Sequence, residues 1–224
     1  GSGCPLAFQV LDAACAVTND MATFDEAGIN DDYLDEIRRG AQFTPCEKGT
    51  RMGTLIMISG ANGSGKSRYA ERIVARTAGE RYYIATMRPC SEENLQRIEK
   101  HREQRKDLQF TTLECPYQVG AAAVERDSVV LLEDVSNLLA NAMFERGGDE
   151  ASVYADIEAL CSRCRLLVAV TITGLRADGY DGETAAYIRA LNGLNQRLYD
   201  RAAAAVAMKD GAPFAEKGDL DEII

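Results

Sequence analysis

The sequence predicts an α/β fold, with a mostly parallel central sheet covered by helices on both faces. Three observations carry this. Short apolar, β-rich runs alternate with helical patterns from residue 54 onward. Ser128–Glu133 (SVVLLE) is almost continuously apolar, as a strand buried on both faces should be. The first strand, Thr54–Ser59, runs straight into Gly60-Ala61-Asn62-Gly63-Ser64-Gly65-Lys66-Ser67, which matches the phosphate loop G-x-x-x-x-G-K-[ST] at every fixed position.

That octet is the stretch with the clearest chemistry. Glycines allow successive backbone N–H groups to turn inward around phosphate oxygens. Lys66 supplies a point charge for the β- and γ-phosphates, and from its place on the loop it is expected to be exposed. The Ser67 hydroxyl is a hard oxygen suited to Mg²⁺. A helical pattern follows, with Tyr69, Ala70, Ile73, Val74 and Thr77 on one side, so a helix N-terminus would point its dipole at the same anion.

At 224 residues and 46% hydrophobic, the chain holds one domain, or one domain with an appendage. A net charge of −10 opposes sequence-independent binding to nucleic acid. No apolar run reaches the length of a membrane span, and the first residues lack the pattern of a signal peptide, so a cytoplasmic location is expected. Seven cysteines, an odd number at irregular spacing, read as reduced thiols. Cys161 and Cys164 fall in a helical pattern with no second pair beside them, and read as buried helix thiols rather than a zinc or redox site.

Residues 1–51 look separate from the rest. Leu6, Val10, Leu11 and Ala14 mark one short amphipathic helix; Ile29, Tyr33, Leu34 and Ile37 mark a second, with Asp31, Asp32, Asp35 and Glu36 on its polar side. This predicts a helical N-terminal extension followed by a domain over 52–224. Within that domain Arg81–Thr86 reads as the second strand. Ser91–Lys106 reads as a helix with a thin apolar face, Leu95 and Ile98, bordered by His101, the one histidine of the chain. Arg97, Lys100, Arg102, Arg105 and Lys106 make it the most basic patch. Phosphate binding and a salt-bridged surface with Glu99 and Glu103 are both open readings.

Leu108–Leu113 reads as the third strand and Tyr117–Arg126 as a helix. Glu133 ends the buried strand, where a phosphate-loop protein holds its Mg²⁺ shell; a simple helix cap is the alternative. Leu138, Leu139, Ala142 and Met143 continue as a helix closed by Gly147-Gly148. A helix over about Glu150–Cys164, a strand over Arg165–Thr171, a loop over Thr173–Gly182, a helix over about Glu183–Ala203 and a last strand near Ala204–Met208 complete the pattern.

From about Gly53 to Pro213 the chain resembles the adenosylcobinamide kinase/adenosylcobinamide-phosphate guanylyltransferase family of cobalamin biosynthesis. The resemblance is carried by GANGSGKSRYAE, YYIATM, RIEKHREQR, FTTLECP, VVLLEDVSNLLAN and NGLNQRLYDRAAAAV. It implies a RecA-like P-loop NTPase fold. It implies His101 as the residue that carries GMP, with Lys66 as the second catalytic residue. Nucleotide contacts would come from Gly60, Ala61, Asn62, Gly63, Ser64, Gly65, Lys66, Ser67, Ala85, Thr86, Met87, Arg102, Glu103, Gln104, Arg105, Glu114 and Glu133. Mg²⁺ would sit at Ser67 and Glu133. GTP or ATP and a corrinoid, adenosylcobinamide or its phosphate, would be the substrates, and the assembly would be a homotrimer.

The chain departs from the family at Ser91, where an aspartate is common, throughout the loop Arg176–Gly182, and at one further stretch. An Asn-Glu-Val-Gly loop normally follows the strand after the Cys-containing helix; here the strand runs into Thr171-Ile172-Thr173-Gly174-Leu175, with no acid at the glutamate's place. That departure keeps two rivals in view: a nucleotide-binding regulator without catalysis, and a kinase for another small molecule. The second leaves a histidine in a basic helix unexplained.

Overall fold

The computed structural model describes residues 53–88, 106–180 and 182–224. The helices expected in 1–51 and the one expected over Ser91–Lys106 lie outside the described residues, as do His101, Arg102, Glu103, Gln104 and Arg105.

The described chain runs β1 (Thr54–Gly60), α1 (Lys66–Arg76), β2 (Arg81–Ala85), β3 (Thr111–Glu114), β4 (Val129–Glu133), α2 (Val135–Arg146), α3 (Glu150–Arg163), β5 (Leu166–Ile172), α4 (Gly182–Arg201), β6 (Ala204–Lys209) and β7 (Ala212–Lys217). The seven strands form one sheet in the order β3-β2-β4-β5-β1-β6-β7. Every pairing is parallel except β6 with β7. This is the mostly parallel α/β architecture that the sequence predicts.

Alternation along the strands divides the core in two. Ile56, Ile58, Val168, Val170 and Val206 pack with Ala70, Ile73 and Val74 of α1 on one face. Leu55, Met57, Leu132, Leu167 and Ala205 pack with residues of α2, α3 and α4 on the other, including Leu139, Ile157 and Leu191. Helices therefore cover both faces, and the central strands are apolar on both sides because both sides are buried. Cys161 and Cys164 are buried, free thiols; burial pushes the Cys164 thiol up to about 12.

Three expectations need correction. The third strand is Thr111–Glu114, not Leu108–Leu113: Lys106–Leu108 is a 3₁₀ turn and Gln109 has φ 55, which ends any extended run there. The expected helix Tyr117–Arg126 is only a 3₁₀ turn at Val119–Ala121. Its backbone is held from outside, since Gly120 N donates to Asp156 Oδ1 at 2.8 Å and Arg163 Nη1 donates to Gly120 O at 3.0 Å. These contacts with α3 replace a helical ladder. Finally, β6 is not the last strand. Asp210 (φ 50) and Gly211 (φ 79) make a two-residue turn into the antiparallel β7, the positive φ pair of a type I′ hairpin.

Candidate functional site

The phosphate loop sits where a parallel sheet places ligands, beyond the C-terminal end of β1. Gly60 has φ 152, and a Cβ there would lie 2.7 Å from Ser64 Oγ. Gly65 holds the left-handed N-cap of α1, φ 86, with no side chain capping the helix. By contrast α2 and α3 are capped by Asp134 and Asp149. The first N–H groups of α1 thus face the loop with no side chain capping them, which is the arrangement of an anion site.

Lys66 is not exposed, contrary to the expectation from sequence. Only 6% of it is accessible, and its Nζ donates to Ala61 O at 3.4 Å. The stem lies under the loop and the ammonium folds back toward it, so the charge points at the loop's interior.

Ser67 and Glu133 meet. Ser67 Oγ donates to Glu133 Oε1 at 2.6 Å. Glu133 Oε2 is buried and has no hydrogen-bond partner among the described residues. Burial, with Asp134 alongside, pushes the Glu133 carboxyl up to about 8, against the Ser67 hydrogen bond and the Lys66 charge. The helix-cap reading of Glu133 is excluded, because Asp134 does the capping: its Oδ1 accepts from Asn137 N at 2.7 Å. Two hard oxygens in contact, one with an unsatisfied buried partner atom, suit a small divalent cation that keeps most of its water.

The remaining candidates line one edge of the sheet. Ala85 is in register with Glu133 on one side and with Glu114 on the other, so the three form a row across β4, β2 and β3. Met87 is half-buried just beyond, and Asn62 and Gly63 are exposed at the loop tip. Thr86 presents no side chain outward. It is fully buried; its hydroxyl donates to Asp134 O at 2.8 Å and accepts from Asp134 N. Thr86 fixes the end of β4 and hence the place of Glu133.

Asn141 is the residue that sequence reasoning left without a role. Its Nδ2 donates to Thr86 O at 2.9 Å and to Pro116 O at 3.1 Å, tying the ends of β2 and β3 to α2. The signal was present in VVLLEDVSNLLAN, but only the fold shows which carbonyls the amide reaches. At the same edge Arg88 and Tyr117 both bond to Glu145, and Arg146 lies over the Tyr117 ring at 4.5 Å. Burial, then the Glu145 hydrogen bond, pushes the Tyr117 phenol up to about 12.

Comparison with known proteins agrees with this geometry. The cobinamide kinase / cobinamide phosphate guanyltransferase family matches residues 56–215. The bifunctional adenosylcobalamin biosynthesis protein CobU of Salmonella typhimurium is 32% identical over 164 residues, covering 64% of this chain and 89% of that protein. Its Escherichia coli namesake is 32% identical over 124 residues, covering 50% and 68%. A different match lies at the start. Residues 1–29 match a phosphoribosyltransferase family. A nicotinate-nucleotide--dimethylbenzimidazole phosphoribosyltransferase of Clostridium perfringens is 53% identical over 38 residues, 17% of this chain but only 10% of that protein. The phosphate loop, the buried acid of β4 and the match over 56–215 lead to one assignment: the chain belongs to the cobinamide kinase / cobinamide phosphate guanyltransferase family.

Proposed function

We propose that this protein phosphorylates adenosylcobinamide and then transfers GMP from GTP to adenosylcobinamide phosphate, on a RecA-like P-loop NTPase fold. Beyond family membership, the observation that supports this best is the contact of Ser67 with the buried Glu133 at the mouth of the phosphate loop. It supplies the two protein oxygens that a phosphoryl-transfer enzyme of this loop type needs.

In the first step the loop and Lys66 hold the triphosphate, and Ser67 with Glu133 would hold Mg²⁺. When bound, the metal ion neutralises charge developing between the β- and γ-phosphates. Neutral His101 is the nucleophile of the second step. Its imidazole nitrogen attacks the α-phosphorus of GTP, a P–N bond forms, and the bond to pyrophosphate breaks. A phosphate oxygen of adenosylcobinamide phosphate then attacks the same phosphorus, the P–N bond breaks, and the imidazole is restored. Ala85, Met87 and Glu114 contact the nucleotide from the sheet edge, and Arg102, Glu103, Gln104 and Arg105 contact it from the histidine segment. Thr86 acts through Glu133.

Residues 52–224 form the catalytic domain. The match of residues 1–29 to a phosphoribosyltransferase family supports reading 1–51 as a segment of separate descent. The active assembly is a homotrimer in the cytoplasm; free thiols at Cys115, Cys161 and Cys164 accord with a reducing compartment, and sedimentation or light scattering tests the trimer.

Incubation with Mg²⁺, GTP and adenosylcobinamide phosphate tests the central reading, with GDP-activated cobinamide and pyrophosphate as products. A preparation that binds GTP yet releases no pyrophosphate would favour the non-catalytic nucleotide-binding rival.

A further inference from the structure

The loop has a second flank. A cavity of about 900 Å³ opens between the first half of the phosphate loop, α4 and the β6–β7 hairpin. The strand order puts β6 and β7 on one side of β1, and β5, β4, β2 and β3 on the other. The cavity therefore lies across the loop from Ala85, Glu114 and Glu133. A nucleotide held along that row leaves this flank open, while anything bound in the cavity touches Gly60–Ser64 beside the phosphates.

The lining decides what kind of molecule enters. Among the described residues its charged lining is Lys209, Asp210 and Glu216, one cation against two carboxylates, and Lys209 Nζ already lies 3.6 Å from Glu216 Oε1. Away from Gly60–Ser64, these described side chains offer a polyphosphate no surplus positive charge. The polar wall is neutral instead. Asn192 and Gln196 are exposed on α4 and project amides into the cavity, with Tyr199 one turn further on. Asn192 Nδ2 donates to Leu175 O at 3.2 Å, and Gln196 Nε2 to Asp200 Oδ1 at 2.9 Å. Their carbonyl oxygens and the second N–H of each amide are left for a ligand. Carboxamides on a ligand pair with such a wall in both directions. The volume is at the upper end for a small-molecule site, which suits a molecule larger than a nucleoside.

From these features we infer that the cavity is the acceptor site, and that it takes a large molecule fringed with neutral carboxamides. On the function proposed above, on which this inference rests, that molecule is the corrinoid. Its ring lies against α4 and the hairpin, and its reactive arm reaches across Gly60–Ser64 to the phosphates. The two substrates then share one phosphate loop from opposite flanks. This gives a physical reason for a single loop to serve both phosphorylation and nucleotide transfer.

The test uses the full chain. Binding of adenosylcobinamide is measured by equilibrium dialysis, and GTP binding by calorimetry, for the wild type, Gln196→Trp and the double variant Asn192→Ala/Gln196→Ala. Both sites are exposed helix positions, so the fold should survive, and circular dichroism checks it. Gln196→Trp should weaken corrinoid binding at least tenfold, with GTP affinity unchanged within twofold, and the double variant should follow the same direction. Equal corrinoid binding by wild type and both variants overturns the acceptor site. Variant-sensitive corrinoid binding without phosphate or GMP transfer leaves the site standing and overturns the proposed function. Failure of the wild type to bind the corrinoid overturns both.

Discussion

Ser67 Oγ and Glu133 Oε1 lie 2.6 Å apart, joining the first turn of α1 to the last residue of β4. One residue belongs to the phosphate loop and the other to a strand two places away across the sheet, so the pair exists only once β5 has packed between β1 and β4. The relationship sets two hard oxygens side by side at the mouth of the loop, which is why the proposed function places a metal–nucleotide complex there.

The Glu133 carboxyl is raised from 4.5 to about 8, chiefly by burial. A folded-state pKa above the unfolded one gives a contribution that is full below the unfolded pKa and is lost as pH rises through the folded one. Metal-free wild type should therefore lose stability relative to Glu133→Gln between about pH 5 and pH 8. The difference should be on the order of a few kcal/mol. Urea unfolding in EDTA at several pH values measures it, and parallel pH curves for the two proteins would show that Glu133 ionises freely.

Lys66→Ala should weaken triphosphate binding at least tenfold, about 1.4 kcal/mol, and abolish transfer. Because Lys66 is 6% accessible, its stem packs under the loop, so a stability loss of about 1 kcal/mol is also expected. Calorimetry with Mg²⁺·GTP and thermal unfolding separate the two effects. Normal binding by a folded variant would place the phosphates elsewhere.

His101→Asn keeps size and polarity but removes the nucleophile. With GTP labelled at the α-phosphate, the wild type should acquire a label that is lost in acid and persists in base, as a P–N bond to imidazole requires. The variant should acquire none while still binding GTP through Gly60–Ser67. Label on the variant would move the nucleophile to another residue.

Asn141→Ala removes the donor shared by two carbonyls, Thr86 O and Pro116 O. Leaving buried acceptors unsatisfied should cost about 2–3 kcal/mol of stability. Because Thr86 also holds Asp134, the Glu133–Ser67 contact should loosen, and the KM for GTP should rise more than twofold. Denaturant unfolding and initial-rate kinetics read the two consequences; a stable variant with unaltered kinetics would remove Asn141 from the positioning network.

A chain starting at Met52 should bind GTP as the full chain does, since every nucleotide-contacting candidate lies at or after Gly60. A loss beyond tenfold in a still-folded truncation would show that the preceding segment builds the site.

Much of this was legible in the sequence because it is local. The phosphate loop is contiguous, so its glycines, Lys66 and Ser67 announce themselves by spacing. The apolar runs of β1, β4 and β5 are read directly, because a strand buried on both faces keeps its few polar residues near its ends. The Asp210-Gly211 turn was equally local and was missed, since β7 is an exposed edge strand with little apolar pattern. What the tertiary structure decided is long-range. Only packing brings Glu133 to Ser67, and only packing moves the capping role to Asp134 and buries Lys66. Asp156 and Arg163 hold Gly120 in a turn where local preference favoured a helix. The register that aligns Ala85, Glu114 and Glu133, and the amide wall of α4 across the loop, come from strand order. Strand order is set by how helices cover a twisted sheet, and no window along the chain records it.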